Sequence, residues 1–226
     1  MTMKRYLASA DLEGAVVVQD IRTAGRPSLR FAETYFHVQG GGQKADRGTI
    51  GPAEVYDVRY ADDGGIDHFV TDASGFEIGQ KYPFAIDPLW RRLNSGYHST
   101  AHLLAAVFEK LHPCTHATSG RKWPGEAGLE FALPSDDPGL HASILDSISE
   151  LELTIIQETK NGLPIRIVGD PFVSRACQIG HYQPVPCGGT HLASTSEIGA
   201  FSIRSITCNA KTARVDYYMM PVDRPR

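Results

Sequence analysis

Residues 96–113 read GYHSTAHLLAAVFEKLHP, and the spacing of the apolar side chains in this stretch decides the fold class. Leu103, Leu104, Val107 and Leu111 share one face at helical spacing, with Asn94 and Ser95 ahead of them as caps and Pro113 as the stop. Everything before it reads differently. Up to about Asp87 the chain consists of short runs, GAVVVQDI (14–21), ETYFHV (33–38), AEVYDVRY (53–60) and HFVTDA (68–73), separated by GGGQ, DRG, IGP and DDGG. Runs rich in Val, Tyr, Phe and Thr between such turns predict strands of a small antiparallel sheet or barrel. Past the first helix, Leu140, Ile144, Ile148, Leu151 and Ile155 predict a second one, closed by Asn161-Gly162-Leu163-Pro164. Strands return in PIRIVG (164–169), EIGAFSIRSITC (197–208) and ARVDYYMM (213–220). The expected class is α+β, with a barrel-like N-terminal domain over residues 1–90 and an α+β domain over 91–226.

Composition narrows what such a chain does. With 226 residues, 42% hydrophobic and 21% charged, it has enough apolar material for a sizeable core and reads as globular. Asp11 and Glu13 interrupt any export-signal core, and the apolar run Leu103 to Phe108 is far too short to span a bilayer. No membrane contact is expected, and the cytosol is the expected compartment. There, Cys114, Cys177, Cys187 and Cys208 are expected as thiols or metal ligands rather than a disulfide framework. A formal net charge of −4 argues against sequence-independent binding to long nucleic acid, so any RNA contact must be local.

The chemistry concentrates in two short motifs. PVPCGGTHL (184–192) sets Cys187 and His191 four residues apart around two glycines, whose backbone freedom is expected to fold the pair back to one point. On the first helix His98 and His102 are also four apart and so stack on one face. Either pair alone is weak: histidines at this spacing are ordinary on helix surfaces, and CxxxH arises by chance. Together they form a nitrogen and sulfur donor set suited to Zn2+. Four protein ligands would close the coordination shell, whereas a catalytic ion keeps a place for water, so one ligand is expected to be exchangeable; His191 is the choice, acting as base or positioner. HxxxH without the glutamate of HExxH lacks the general base of a metalloprotease. Two further sets compete, CQIGH (177–181) and HPCTH (112–116). Neither has a matching pair on a rigid element, so Cys177 reads as a small buried strand residue and the HPCTH histidines as loop residues.

HSTAHLL followed by CGGTHL resembles the paired motifs of the alanyl-tRNA synthetase editing domain and of its free-standing relatives, the AlaX proteins. ETYFHVQGGGQKADRGTIG (33–51) is similar to the glycine-rich segment that precedes that domain in medium-length AlaX proteins. Gly96-Tyr97 departs from the Met-Arg type of pair usual before the first histidine. The resemblance implies a hydrolase that removes the wrong amino acid, chiefly serine and also glycine, from mischarged tRNA(Ala). Serine exceeds alanine by one hydroxyl, which an apolar pocket rejects only about 10²-fold, so a second site that demands the hydroxyl has a purpose. Thr118 and Ser119 lie where the family pattern places a polar specificity residue, and Thr100 is a second candidate; for each, a local backbone hydrogen bond is the bland alternative. The resemblance also brings Gly40, Gly41 and Gly42 toward the RNA acceptor end, with Gln43 and Asp46 as polar contacts, although a glycine cluster is by itself only a turn. Arg91, Arg92, Arg121, Lys122, Lys211 and Arg214 are candidate phosphate contacts, Arg121 and Lys122 foremost. Two other classes stand beside the deacylase: a zinc hydrolase of another small ester or amide, and a non-catalytic, zinc-stabilised tRNA-binding module.

Overall fold

The computed structural model describes residues 2–222, so Met1 and residues 223–226 of the expected domain spans lie outside the described residues. The chain begins with β1 (Met3–Lys4) and a 3-10 turn at Arg5–Leu7. It continues through β2 (Glu13–Arg22), β3 (Ser28–Phe31), β4 (Glu33–Thr34), β5 (Gly48–Ile50), β6 (Ala53–Tyr60), β7 (Ile66–Val70) and β8 (Lys81–Ile86). Six of these close into an antiparallel barrel in the order β2-β3-β7-β6-β5-β8. Closure removes the exposed strand edges that an open sheet this small would carry. Ala53 and Val55 of β6 point inward, and a bulge between Val55 and Asp57 resets the pleat so that Val58 is the next inward residue. ETYFHV is a strand only over Glu33–Thr34, where β4 pairs in parallel with β1. Beyond it, the His37 N–H donates to Asp46 Oδ2 at 2.5 Å and the His37 carbonyl accepts from Asp46 N at 3.1 Å, a local loop closure that replaces a ladder.

The remainder comprises α1 (Pro88–Leu111), β9 (His116–Arg121), β10 (Gly128–Ala132), α2 (Pro138–Asp146), α3 (Ile148–Asn161), β11 (Ile165–Val168), β12 (Ala176–Ile179), β13 (Val185–Pro186), β14 (Ile198–Asn209) and β15 (Thr212–Pro221). It is an α+β arrangement: a four-stranded sheet, β14-β15-β10-β9, a three-stranded sheet, β11-β12-β13, and helices packed on them. Helix α1 starts well before Asn94, because Asp87 caps it: Oδ1 accepts from Leu89 N at 2.9 Å and Trp90 N at 3.0 Å, and Pro88 occupies the first turn. Asn94 and Ser95 are therefore buried within the helix rather than capping it. The second helix is two, α2 and α3. Ser147 breaks the run, its Oγ donating to the Ile144 carbonyl at 2.8 Å and accepting from His112 Nε2 at 2.9 Å. Gly162, left-handed at φ 65°, ends α3 as the sequence predicts.

Two apolar cores form, one inside the barrel around Leu29, Ile50 and Val58, the other around Leu103, Leu104, Phe108 and Phe131. Between them runs a buried ion pair. Arg91 Nε lies 2.9 Å from Asp46 Oδ1, its Nη2 contacts Oδ2 and donates to the Tyr35 carbonyl at 2.9 Å, and the Trp90 indole donates to the Ala45 carbonyl at 2.8 Å. These bonds pin the glycine-rich loop to the start of α1. No helix among the described residues is long and apolar enough to cross a membrane.

One buried histidine inside the barrel sets a pH dependence. His68 donates from Nδ1 to the Leu29 carbonyl at 3.3 Å, and its Nε2 lies 2.7 Å from the Thr34 hydroxyl, which can donate to the lone pair of the neutral ring. Burial pushes its pKa down to about 4. The unfolded chain takes up this proton below about pH 6.5 and the folded chain only below about 4, so stability falls as pH drops through that window, by about 3 kcal/mol in all. Denaturant midpoints of wild type and His68→Gln, compared from pH 7.5 to 4, are expected to show a shallower fall in the variant.

Candidate metal centre

The two motifs converge. Ligand atoms of His98, His102, Cys187 and His191 all lie within 4.8 Å of one another, and this group could hold a metal ion. His102 Nε2 is 3.3 Å from His98 Nε2, and Cys187 Sγ is 3.5 Å from His98 Nε2 and 3.2 Å from His191 Nε2. The cluster opens into a cavity of about 870 Å³ between the barrel and the second half of the chain, lined by Tyr6, His37 and Tyr60 on one side and by Ala105, Thr118 and Tyr182 on the other.

The tautomer of His98 follows from its neighbours. Gln43 Oε1 accepts the Thr190 backbone N–H at 3.0 Å and lies 2.6 Å from His98 Nδ1, so Nδ1 must be the donor and Nε2 keeps its lone pair toward the cluster. The Gln43 amide donates to Thr190 Oγ1 at 2.7 Å, and that hydroxyl is 2.6 Å from Ser95 Oγ. His191 Nδ1 is 3.3 Å from Ser99 Oγ, which also accepts from Leu192 N at 3.0 Å. His102 Nδ1 has no such partner among the described residues. Burial is the main reason that His98 and His191 stay neutral far below the usual histidine range, and it pushes His102 down to about 3. Neutral rings present lone pairs, as metal ligation requires.

The turn works differently from the sequence expectation. Neither Gly188 nor Gly189 has a positive φ. Gly189 is instead a steric necessity, because a Cβ there would sit 2.1 Å from His98 Cε1 and 2.6 Å from Gln43 Oε1, while at Gly188 it would meet open space. Left-handed backbone is used in the other glycine run, where Gly42 (φ 79°) approaches β9 so closely that a Cβ would lie 2.3 Å from the Gly120 carbonyl oxygen. The Cys187 turn is held by Arg175, whose guanidinium donates to the carbonyls of Cys187, of Gly189 at 2.9 Å and of Leu7 at 2.9 Å. Arg175, Ser99 and Thr190 escaped the sequence reading, and no spacing in the sequence announces Arg175's role.

The other expected residues separate clearly. Gly40 and Gly41 line the cavity. Gln43 and Asp46, expected as RNA contacts, are instead fully buried and spend their polar atoms inside the protein. Thr118 and Ser119 line the cavity from β9; their hydroxyls donate to the Glu130 carbonyl at 3.2 Å and to its carboxylate at 2.8 Å. Thr100 lies on α1 away from the cavity lining, fully buried, with no hydrogen-bond partner for Oγ1. Lys122 is at the cluster, its Nζ 3.4 Å from His98 Nε2, and burial lowers its pKa. The remaining basic candidates are mostly paired: Arg91 with Asp46, Arg92 with Glu197, Arg121 with Glu126, and Arg214 with Asp216. Cys177 is buried on β12 with its thiol pushed up to about 12 by burial, and neither it nor the HPCTH set joins the cluster.

Comparison with known proteins gives this site a lineage. Residues 174–214, which include Arg175, Cys187 and His191, match the family described as the threonyl and alanyl tRNA synthetase second additional domain. Over 219 aligned residues, 87% of this chain, the sequence is 32% identical to an alanine–tRNA ligase of Lacticaseibacillus paracasei. It is 30% identical over 203 residues, 79% of the chain, to alanine–tRNA ligases of Streptococcus agalactiae and Streptococcus pyogenes. This is an AlaX-like chain. It spans about a quarter of the length of those ligases.

Two substitutions test how the centre is built. Gly189→Ala is expected to displace the His98 ring and abolish stoichiometric metal binding, while Gly188→Ala binds as wild type, both read by competition with a chromogenic chelator. Gln43→Ala, which frees the His98 tautomer, is expected to weaken divalent-ion affinity by roughly 10- to 100-fold in the same titration, the loss typical when a ligand's orienting partner is removed.

Proposed function

We propose that this chain is a zinc-dependent trans-editing hydrolase that deacylates mischarged tRNA(Ala), chiefly Ser-tRNA(Ala), with Gly-tRNA(Ala) as the secondary candidate substrate. The observation that carries the reading is the convergence of three neutral imidazoles and one cysteine at the floor of a large cavity, in a chain related to alanine–tRNA ligases. The donor set fits zinc. A tetrahedral ion with Zn–N of ~2.0–2.1 Å and Zn–S of ~2.3 Å requires N···N edges of about 3.3 Å and N···S edges of about 3.5 Å; three of the six separations, at 3.3, 3.5 and 3.2 Å, have that size, and all six are within 4.8 Å. Zn2+ held there supplies Lewis acidity toward an ester and its attacking water.

The protein groups have distinct parts. Gln43 and Ser99 orient His98 and His191, and Arg175 holds the Cys187 turn. His191 was the expected exchangeable ligand; its bond to Ser99 favours assigning that position to His102, whose Nδ1 is unanchored. Thr118 and Ser119 have committed their protons, so each presents oxygen lone pairs that accept a seryl hydroxyl. The acceptor end of the RNA approaches over Gly40 and Gly41, and the domain boundary is placed at residue 90, at the foot of α1. The cytosol is the proposed compartment.

The decisive measurement is release of labelled amino acid from Ser-, Gly- and Ala-charged tRNA(Ala). Serine release that stops on chelation, returns with added zinc and is lost in Cys187→Ala is expected, with Ala-tRNA(Ala) disfavoured by roughly 10⁴-fold, as for a site built to bond a hydroxyl. Serine release that persists at full rate without metal overturns the zinc mechanism, and hydrolysis of free amino acid esters alone favours the broader hydrolase.

A further inference from the structure

Lys122 has no carboxylate partner, a condition it shares with Lys4 and Lys110 on the cavity lining and with Arg175, but among these described residues it alone has its charged nitrogen within hydrogen-bond distance of a metal-ligand atom. Arg91, Arg92, Arg121 and Arg214 all have carboxylates within ion-pair distance, whereas no carboxylate lies within that distance of Lys122 among the described residues. It is nonetheless half-buried and held at both ends by the glycine-rich loop: its backbone N–H donates to the Gly42 carbonyl at 2.8 Å and its Nζ to the Gly41 carbonyl at 2.8 Å. That grip aims the ammonium into the cavity, 3.4 Å from His98 Nε2. A cation partly withdrawn from water is costly, and the group near it whose negative charge favours it is the Cys187 sulfur, a charge that an ion bound at the cluster would share. With the His98 lone pair engaged by an ion, the contact to Lys122 ceases to be a hydrogen bond. An ammonium has three donors, and Gly41 takes one.

Resting on the deacylase reading above, we infer that the Lys122 ammonium is a catalytic group, donating hydrogen bonds to the ester carbonyl oxygen as negative charge develops on it. Water oxygen bonds to the carbonyl carbon and the carbonyl π pair moves onto its oxygen, where Lys122 meets it. The pair then returns as the carbon–ribose oxygen bond breaks; the ribose oxygen leaves with a proton from the water, and the released acid ionises to a carboxylate. Lys122 keeps its proton throughout. A fixed donor at that place costs nothing to reorganise in the transition state, and losing one such donor typically lowers kcat by about 10²- to 10³-fold. This differs from a phosphate contact, which positions the RNA and acts on binding.

Lys122→Gln tests it, since the amide still offers the Gly41 carbonyl a donor but carries no charge, and Lys122→Arg restores a cation. With zinc content and Tm matched to wild type, Lys122→Gln is expected to lower kcat for Ser-tRNA(Ala) by about 10²-fold with little change in KM, and Lys122→Arg to recover part of it. Calorimetric titration of the zinc-loaded proteins gives a readout apart from turnover. L-serine, whose carboxylate carries the product's charge, is expected to bind at least about tenfold more weakly to Lys122→Gln, while a 3′-serylamino adenosine analogue, whose amide carbonyl carries no charge, binds both alike. An unchanged kcat with a raised KM and a weaker salt dependence would make Lys122 a phosphate contact and overturn the inference. Wild-type protein that fails to release serine at all would instead remove the deacylase reading on which it rests.

Discussion

One buried carbonyl oxygen organises the candidate centre. Gln43 Oε1, from a loop of the barrel, accepts simultaneously from His98 Nδ1 on the first long helix and from the Thr190 backbone in the cysteine turn. Three segments far apart in sequence are thereby tied at a single atom, and the tautomer of the central imidazole is set with them. A buried acceptor with two donors is stable only if all three are present, because loss of any one leaves the others desolvated and unpaired. The Arg91–Asp46 pair serves the same arrangement one layer out by fixing the loop that carries Gln43. Its worth lies in position, since burying such a pair gains little net stability while breaking it is expensive.

At the cluster, cations outnumber the single negative charge that an ionised Cys187 sulfur brings. The metal-ligand group contains three imidazoles and a cysteine and no carboxylate, and it is flanked by the cations of Lys122 and Arg175. Arg175 is consumed by backbone carbonyls, so its charge is felt while its donors are spent. The chain's overall charge of −4 hides this local excess. A site so built attracts anionic ligands over a short range, consistent with local rather than extended contact with RNA.

The competing thiols and histidines show why spacing alone could not choose between motifs. CQIGH has the same CxxxH interval as CGGTH, yet β12 turns Cys177 into the core, where burial holds its thiol protonated, while His181 reaches the cavity alone. The HPCTH set is divided by the end of α1: His112 bonds Ser147, and His116 is exposed on β9. What separates the ligands from the decoys is the presence of a facing pair on a rigid element.

By itself the sequence determined the α+β class, the strand-rich first ninety residues, the glycine stop of α3 and the four-residue donor set, because periodicity, turn residues and i, i+4 spacing are local properties of the chain. The helix start at Asp87 and the break at Ser147 escaped it, since both are set by individual side-chain hydrogen bonds that a polar residue makes or does not make according to its neighbours. Only the tertiary structure decided that Gln43 and Asp46 face inward, that Arg175 grips the cysteine turn, that Gly189 is needed for space rather than for backbone freedom, and that Lys122 stands beside His98. Each of these depends on a partner more than ten residues away, and no pattern in the chain records which distant segment will arrive there.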